Sequence, residues 1–103
     1  MIDYSKKLYD TVRLADMNKL GVQLGAACID ARVPVQIVAK WVGVSRQGVY
    51  NWFTGLNEVA QKHQAKVVKI TSTLLRALDD GKLPAEDLGT TLAIVQQYRK
   101  EAK

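Results

Sequence analysis

Arg46, Gln47, Tyr50, Asn51 and Thr54 lie close together in the sequence and carry hydrogen-bonding side chains that a short helix would turn outward. An arginine fork matches the O6 and N7 acceptors of guanine, and a glutamine amide matches N7 and N6 of adenine. Tyr50, Asn51 and Thr54 can divide between base edges and phosphate oxygens. Gln36, Lys40 and Ser45 extend the same polar set toward the N-terminus. The chemistry these residues offer is recognition. Catalysis lacks an equivalent set: there is no paired-carboxylate signature, no phosphate-binding glycine loop and no Ser/His/Asp arrangement. Cys28 and His63 are the only cysteine and histidine, and each falls on an apolar helical stripe. Packing roles are expected for both, rather than nucleophile or ligand. The expectation is a non-enzyme with neither cofactor nor metal.

The polar set depends on two short helices and a turn over Val35 to Gly55. Ile37, Val38, Trp41 and Val42 recur at helical spacing on one side of the first segment. Gly43 supplies the permissive backbone of a sharp bend, and Val44 plugs the corner. Ser45 is placed to cap a second helix through the amide of Gln47 or Gly48. That helix buries Val49, Trp52 and Phe53, and Gly55 ends it as a glycine just past a helix commonly does. The spacing is that of a helix-turn-helix, whose second helix enters the major groove.

The stretch resembles the helix-turn-helix of lambda-repressor/Cro-type proteins. The match rests on the small residue Ala39, the turn glycine Gly43 and the apolar plugs Val44, Val49 and Trp52. Ser45-Arg46-Gln47-Gly48-Val49 and Phe53-Thr54-Gly55 fit the pattern without gaps. The helix order over Asn18 to Val68 is also compatible. One departure is Val35, where the family often carries a polar residue that bonds phosphate; the nearest polar group here is Gln36. The resemblance implies a sequence-specific double-stranded DNA-binding protein acting in transcription regulation, similar to small phage repressors. Two alternatives stay open. One is a packaging component resembling small terminase subunits, and the other is a helix-turn-helix used as a protein-binding scaffold.

A chain of 103 residues with 48% apolar content is the size of one domain with one modest core. No apolar run reaches the roughly 20 residues of a membrane span, and the start lacks a secretory signal pattern. A single cysteine excludes an internal disulfide framework. These features point to the cytoplasm and away from a membrane. The net charge is +5, and residues 35–56 carry Lys40 and Arg46 but no acidic side chain. A polyanionic partner suits that distribution.

The rest of the chain reads as helix. Tyr4, Leu8 and Val12 mark a short amphipathic helix or arm over Met1 to Ala15. A stronger helix is expected to start at Asn18 as N-cap, with Leu20, Leu24, Ala27, Cys28 and Ala31 inward. Gly21 and Gly25 lie one turn apart, which predicts a second helix crossing closely there. Pro34 is expected to stop this helix and can occupy the first turn of the next. Asn57 is expected to cap a long helix to about Leu78, with a heptad-like seam of Ala60, His63, Val67, Ile70, Leu74 and Ala77. Pro84 is expected to start a last helix with Glu86 and Asp87 in its first turn, and Leu88, Leu92, Val95 and Tyr98 along its stripe.

The fold expectation is therefore all-α, five or six helices, with a helix-turn-helix core followed by a C-terminal αα-hairpin. Residues 1–56 form an arm and DNA-binding head, and residues 57–103 a helical hairpin. That hairpin is expected to expose apolar surface and to make a homodimer or higher homo-oligomer.

Overall fold

The computed structural model describes residues 6–101 and, for side chains, residues 6–100. Tyr4, which the sequence places on the N-terminal stripe, lies outside the described residues. The architecture is all-α, with six helices in order: α1 Lys6–Leu14, α2 Leu20–Ala31, α3 Val35–Val42, α4 Arg46–Phe53, α5 Gln61–Asp79 and α6 Leu88–Glu101. Among these residues no helix is long and apolar enough to cross a membrane.

α2 is the hub because it is apolar on most of its circumference. Val22, Leu24, Ala27, Cys28 and Ala31 are all buried, and the helix packs most extensively on α5 and next on α4. Burial pushes the Cys28 thiol pKa well above its usual range, which keeps it protonated and a poor nucleophile. The glycine pair does what its spacing predicts, and the crossing helix is α4. A Cβ on Gly21 would sit 2.7 Å from both Cβ and the carbonyl oxygen of Trp52, and one on Gly25 would sit 2.8 Å from Phe53 Cγ. Only bare backbone lets α4 lie this close.

Several helix boundaries differ from the sequence expectation for one physical reason. Asn, Asp and Pro stabilise turns as readily as they start helices. Asn18 does not cap α2; its amide donates to Asp16 Oδ1 at 2.9 Å in the preceding turn, and the N-cap position is Lys19. α2 ends before Pro34, at Arg32, whose left-handed φ of 58° closes the helix. Pro34 does stand at the start of the next helix, one position earlier than expected, as the N-cap residue of α3. Asn57 does not cap α5, which starts after Ala60; the Asn57 amide donates back to the Asn51 carbonyl at 3.1 Å. Pro84, Glu86 and Asp87 all precede α6. Asp87 accepts from the Thr90 amide at 2.7 Å and so serves as the cap at the start of that helix. These backbone and side-chain bonds from Thr90 hold the Asp87 carboxyl below its ordinary pKa.

The α5 seam faces the chain's own core. Val67, Ile70, Leu74 and Ala77 are buried against a cluster that also contains the α2 and α4 side chains. Val95 and Tyr98 of α6 are buried as well. The expectation that these stripes are left over for self-association is therefore corrected: α2 covers the seam. At 1.5 Å per residue α5 is about 28 Å long, close to the 31 Å extent of the whole molecule. The end of α6 rests on the end of α5, where the Tyr98 hydroxyl donates to Asp80 Oδ2 at 2.6 Å and the Arg76 guanidinium lies 5.5 Å over the Tyr98 ring.

Candidate nucleic-acid interface

The bend between α3 and α4 is set by backbone geometry. Gly43 adopts a φ of +85°, and the amides of Gly43 and Val44 both return to the Ala39 carbonyl, at 2.8 and 3.1 Å. This ends α3 with its last carbonyls satisfied. Ser45 then takes an extended conformation, and its Oγ accepts from the Gly48 amide at 3.1 Å. α4 closes at Thr54, followed by Gly55 at a φ of +80°. Each special backbone position carries the residue type that tolerates it.

α4 is fixed from three sides. Val49, Trp52 and Phe53 are buried, with α2 against the helix at Gly21 and Gly25. From α5, the His63 ring packs on Trp52 with centroids 5.9 Å apart. At its C-terminal end, Lys19 Nζ donates to the Gly55 carbonyl at 2.9 Å. A cation there also favours the negative end of the helix dipole. Sequence reasoning missed Lys19, since nothing local links it to a carbonyl 36 residues away. It placed His63 on a packed stripe without identifying its neighbour.

The recognition residues divide by exposure. Arg46, Gln47 and Tyr50 are exposed, and Asn51 and Thr54 are half-buried. Gln47 Nε2 donates to Asn51 Oδ1 at 3.0 Å, so the two amides one turn apart already hold each other in orientation. The Thr54 hydroxyl donates back to the Tyr50 carbonyl at 3.1 Å, which commits its proton to the helix and leaves its oxygen as an acceptor. Ser45 is exposed with its oxygen engaged as the cap, leaving its hydroxyl proton to donate. Gln36 and Lys40 are exposed on α3. Val35 is 4% exposed, so an apolar residue there is explained by core packing.

Ile37 and Trp41 are only half-buried and line a groove of about 310 Å³ with Lys40, Leu92, Val95 and Arg99. Arg99 lies 5.9 Å over the Trp41 ring, which brings a second cation beside Lys40 at the back of α3. No carboxylate occurs from Ala31 to Asn57. The acid just before that interval, Asp30, pairs with Arg13 at 3.7 Å. The result is a short, braced helix with amide, guanidinium and phenol groups outward, in a segment that carries cations but no carboxylate. Comparisons with protein-family models, curated proteins and solved structures gave no match to this chain.

Proposed function

We propose that this protein binds double-stranded DNA sequence-specifically through α4, and that it acts as a repressor-like regulator of transcription. The observation that carries this reading is the outward face of α4. Arg46, Gln47, Tyr50 and Asn51 project from a helix held by the α2 glycines, the Ser45 cap and Lys19. Such a helix enters a major groove N-terminus first. Arg46 and Gln47 are then the residues that read base edges, the first favouring guanine and the second adenine. Gln47 is the better defined reader, because its bond to Asn51 fixes the amide plane before contact. Tyr50, Asn51 and Thr54 follow along the groove, while Gln36, Lys40 and Ser45 engage phosphates. The activity is binding, without a catalytic step.

The test is selection from a random duplex pool, with wild type and an Arg46→Ala/Gln47→Ala double variant in parallel. Both side chains are exposed, so the variant keeps its fold and melting temperature. Losing a bidentate base contact costs about 1–3 kcal/mol of discrimination, which predicts an enriched motif for wild type and none for the variant. Affinity falls with salt, by roughly 0.9 in the log–log slope for each neutralised phosphate. The same motif from both proteins would remove α4 as the reader, and salt-independent binding would favour the scaffold alternative.

A further inference from the structure

We propose that two copies of this chain pair antiparallel through a second heptad stripe on α5, made of Ala65, Val68, Ser72, Leu75 and Asp79. This stripe lies on the opposite side of the helix from the seam buried by α2. Its members are spaced alternately by three and four residues, the repeat of a two-helix packing seam. All five are exposed, and Val68 and Leu75, at 52% and 51%, are large apolar side chains left in solvent on one helix face. Beside them runs a groove of about 450 Å³ lined by Leu20, Gln23, Val68, Thr71, Leu75 and Arg76. Thr71 is 5% exposed, yet its hydroxyl has no hydrogen-bond partner. An unsatisfied buried hydroxyl costs stability, and an incoming polar group at this groove would relieve it.

The occupant is argued from size and charge. In an antiparallel pair with its dyad beside position 70, Val68 lies opposite Ser72 of the second copy and Ala65 opposite its Leu75. Each large side chain meets a small one, the alternation that lets facing layers interdigitate. A parallel pair would stack Leu75 on Leu75 and Ala65 on Ala65. Charge selects the same arrangement. Lys62, Lys66 and Lys69 crowd the first half of α5, and Asp79 and Asp80 end it, the reverse of what the helix dipole favours; the one cation of the last turn, Arg76, is stacked on Tyr98. Antiparallel pairing puts Asp79 opposite Gln61 and next to Lys62 of the second copy, so the same twofold contact compensates both ends. The proposal goes beyond DNA binding, and would give that reading two dyad-related copies of α4.

The experiment is sedimentation equilibrium on the full chain at tens of micromolar without DNA, so its outcome is independent of whether α4 reads a sequence. The expected mass is twice the chain's 11.4 kDa. Leu75→Glu should reduce it to one chain while the melting curve stays cooperative, because this position is half in solvent already. Asp79→Lys should weaken pairing, and adding Lys62→Asp should restore it. Within one chain these positions are about 25 Å apart along the helix, so rescue reports contact between copies. Mixing Ala65→Cys with Leu75→Cys proteins under oxidation should give a covalent dimer that neither forms alone. A monomeric wild type, a dimer indifferent to Leu75→Glu, or crosslinking of Ala65→Cys by itself would overturn the proposal.

Discussion

Replacing Gly21 by alanine tests the structural claim on which the position of α4 depends. An added methyl would lie 2.7 Å from the Trp52 carbonyl oxygen and 3.0 Å from its carbonyl carbon. Both are backbone atoms, so no rotamer change relieves the overlap; α4 itself must withdraw until contacts of 3.4 Å or more are restored. Forcing a methyl into a packed site costs about 1–3 kcal/mol. The backbone location of the clash puts this case in the upper half of that range. Alanine also returns about 1 kcal/mol of helix propensity relative to glycine. The net expectation is a loss of roughly 1–2 kcal/mol, at about 4–8 °C of melting temperature per kcal/mol for a domain of this size.

Thermal unfolding followed by circular dichroism measures it. Gly89→Ala is the control, since its added methyl meets nothing nearer than Asp87 Oδ1 at 3.4 Å, an exposed side-chain atom. That variant should hold or raise the melting temperature. A Gly21→Ala protein as stable as wild type, or more so, would show that α2 and α4 do not meet at this glycine, and the brace would have to be abandoned.

Lys19→Met should lower stability by about 1 kcal/mol, the scale of one net hydrogen bond; a Tm within error of wild type would discard the Lys19–Gly55 tie. The Asp87 carboxyl has a folded pKa below its unfolded one. Its contribution is therefore present above the unfolded pKa, about 3.9, and is lost as pH falls through the folded value. Melting curves between pH 5 and pH 2 should show a stability loss that Asp87→Asn reduces, because asparagine still caps but does not titrate there; identical pH profiles would reject the capping role.

The helix-turn-helix was legible because its control points are local. Gly43 and Gly55 need positive φ, Ser45 bonds an amide three residues on, and the apolar spacing of Val49, Trp52 and Phe53 fixes a buried face. Gly21 and Gly25 announced a close crossing, but the helix that crosses is specified only by the tertiary fold. Boundaries at Asn18, Asn57 and Pro84 differ from the sequence expectation because those residues stabilise turns that precede helices. Their real N-cap positions in two cases, Lys19 and Ala60, make no side-chain cap bond and depend on packing to start the helix. The α5 seam was visible as a stripe, whereas its burial by α2 depends on a partner distant in sequence. The outward stripe through Val68 and Leu75 was hidden by the stronger one behind it, and Lys19 had no local signal at all.

An amide-resolved footprint tests whether α4 reads DNA. Uniformly ¹⁵N-labelled protein is titrated with the duplex recovered from the random pool, and perturbed backbone amides are mapped on the fold. The largest shifts should fall from Ser45 to Asn51, with smaller ones at Gln36 and Lys40 and little change over Gly81 to Glu86. Shifts concentrated on α5 or α6, with α4 unperturbed at saturation, would contradict it.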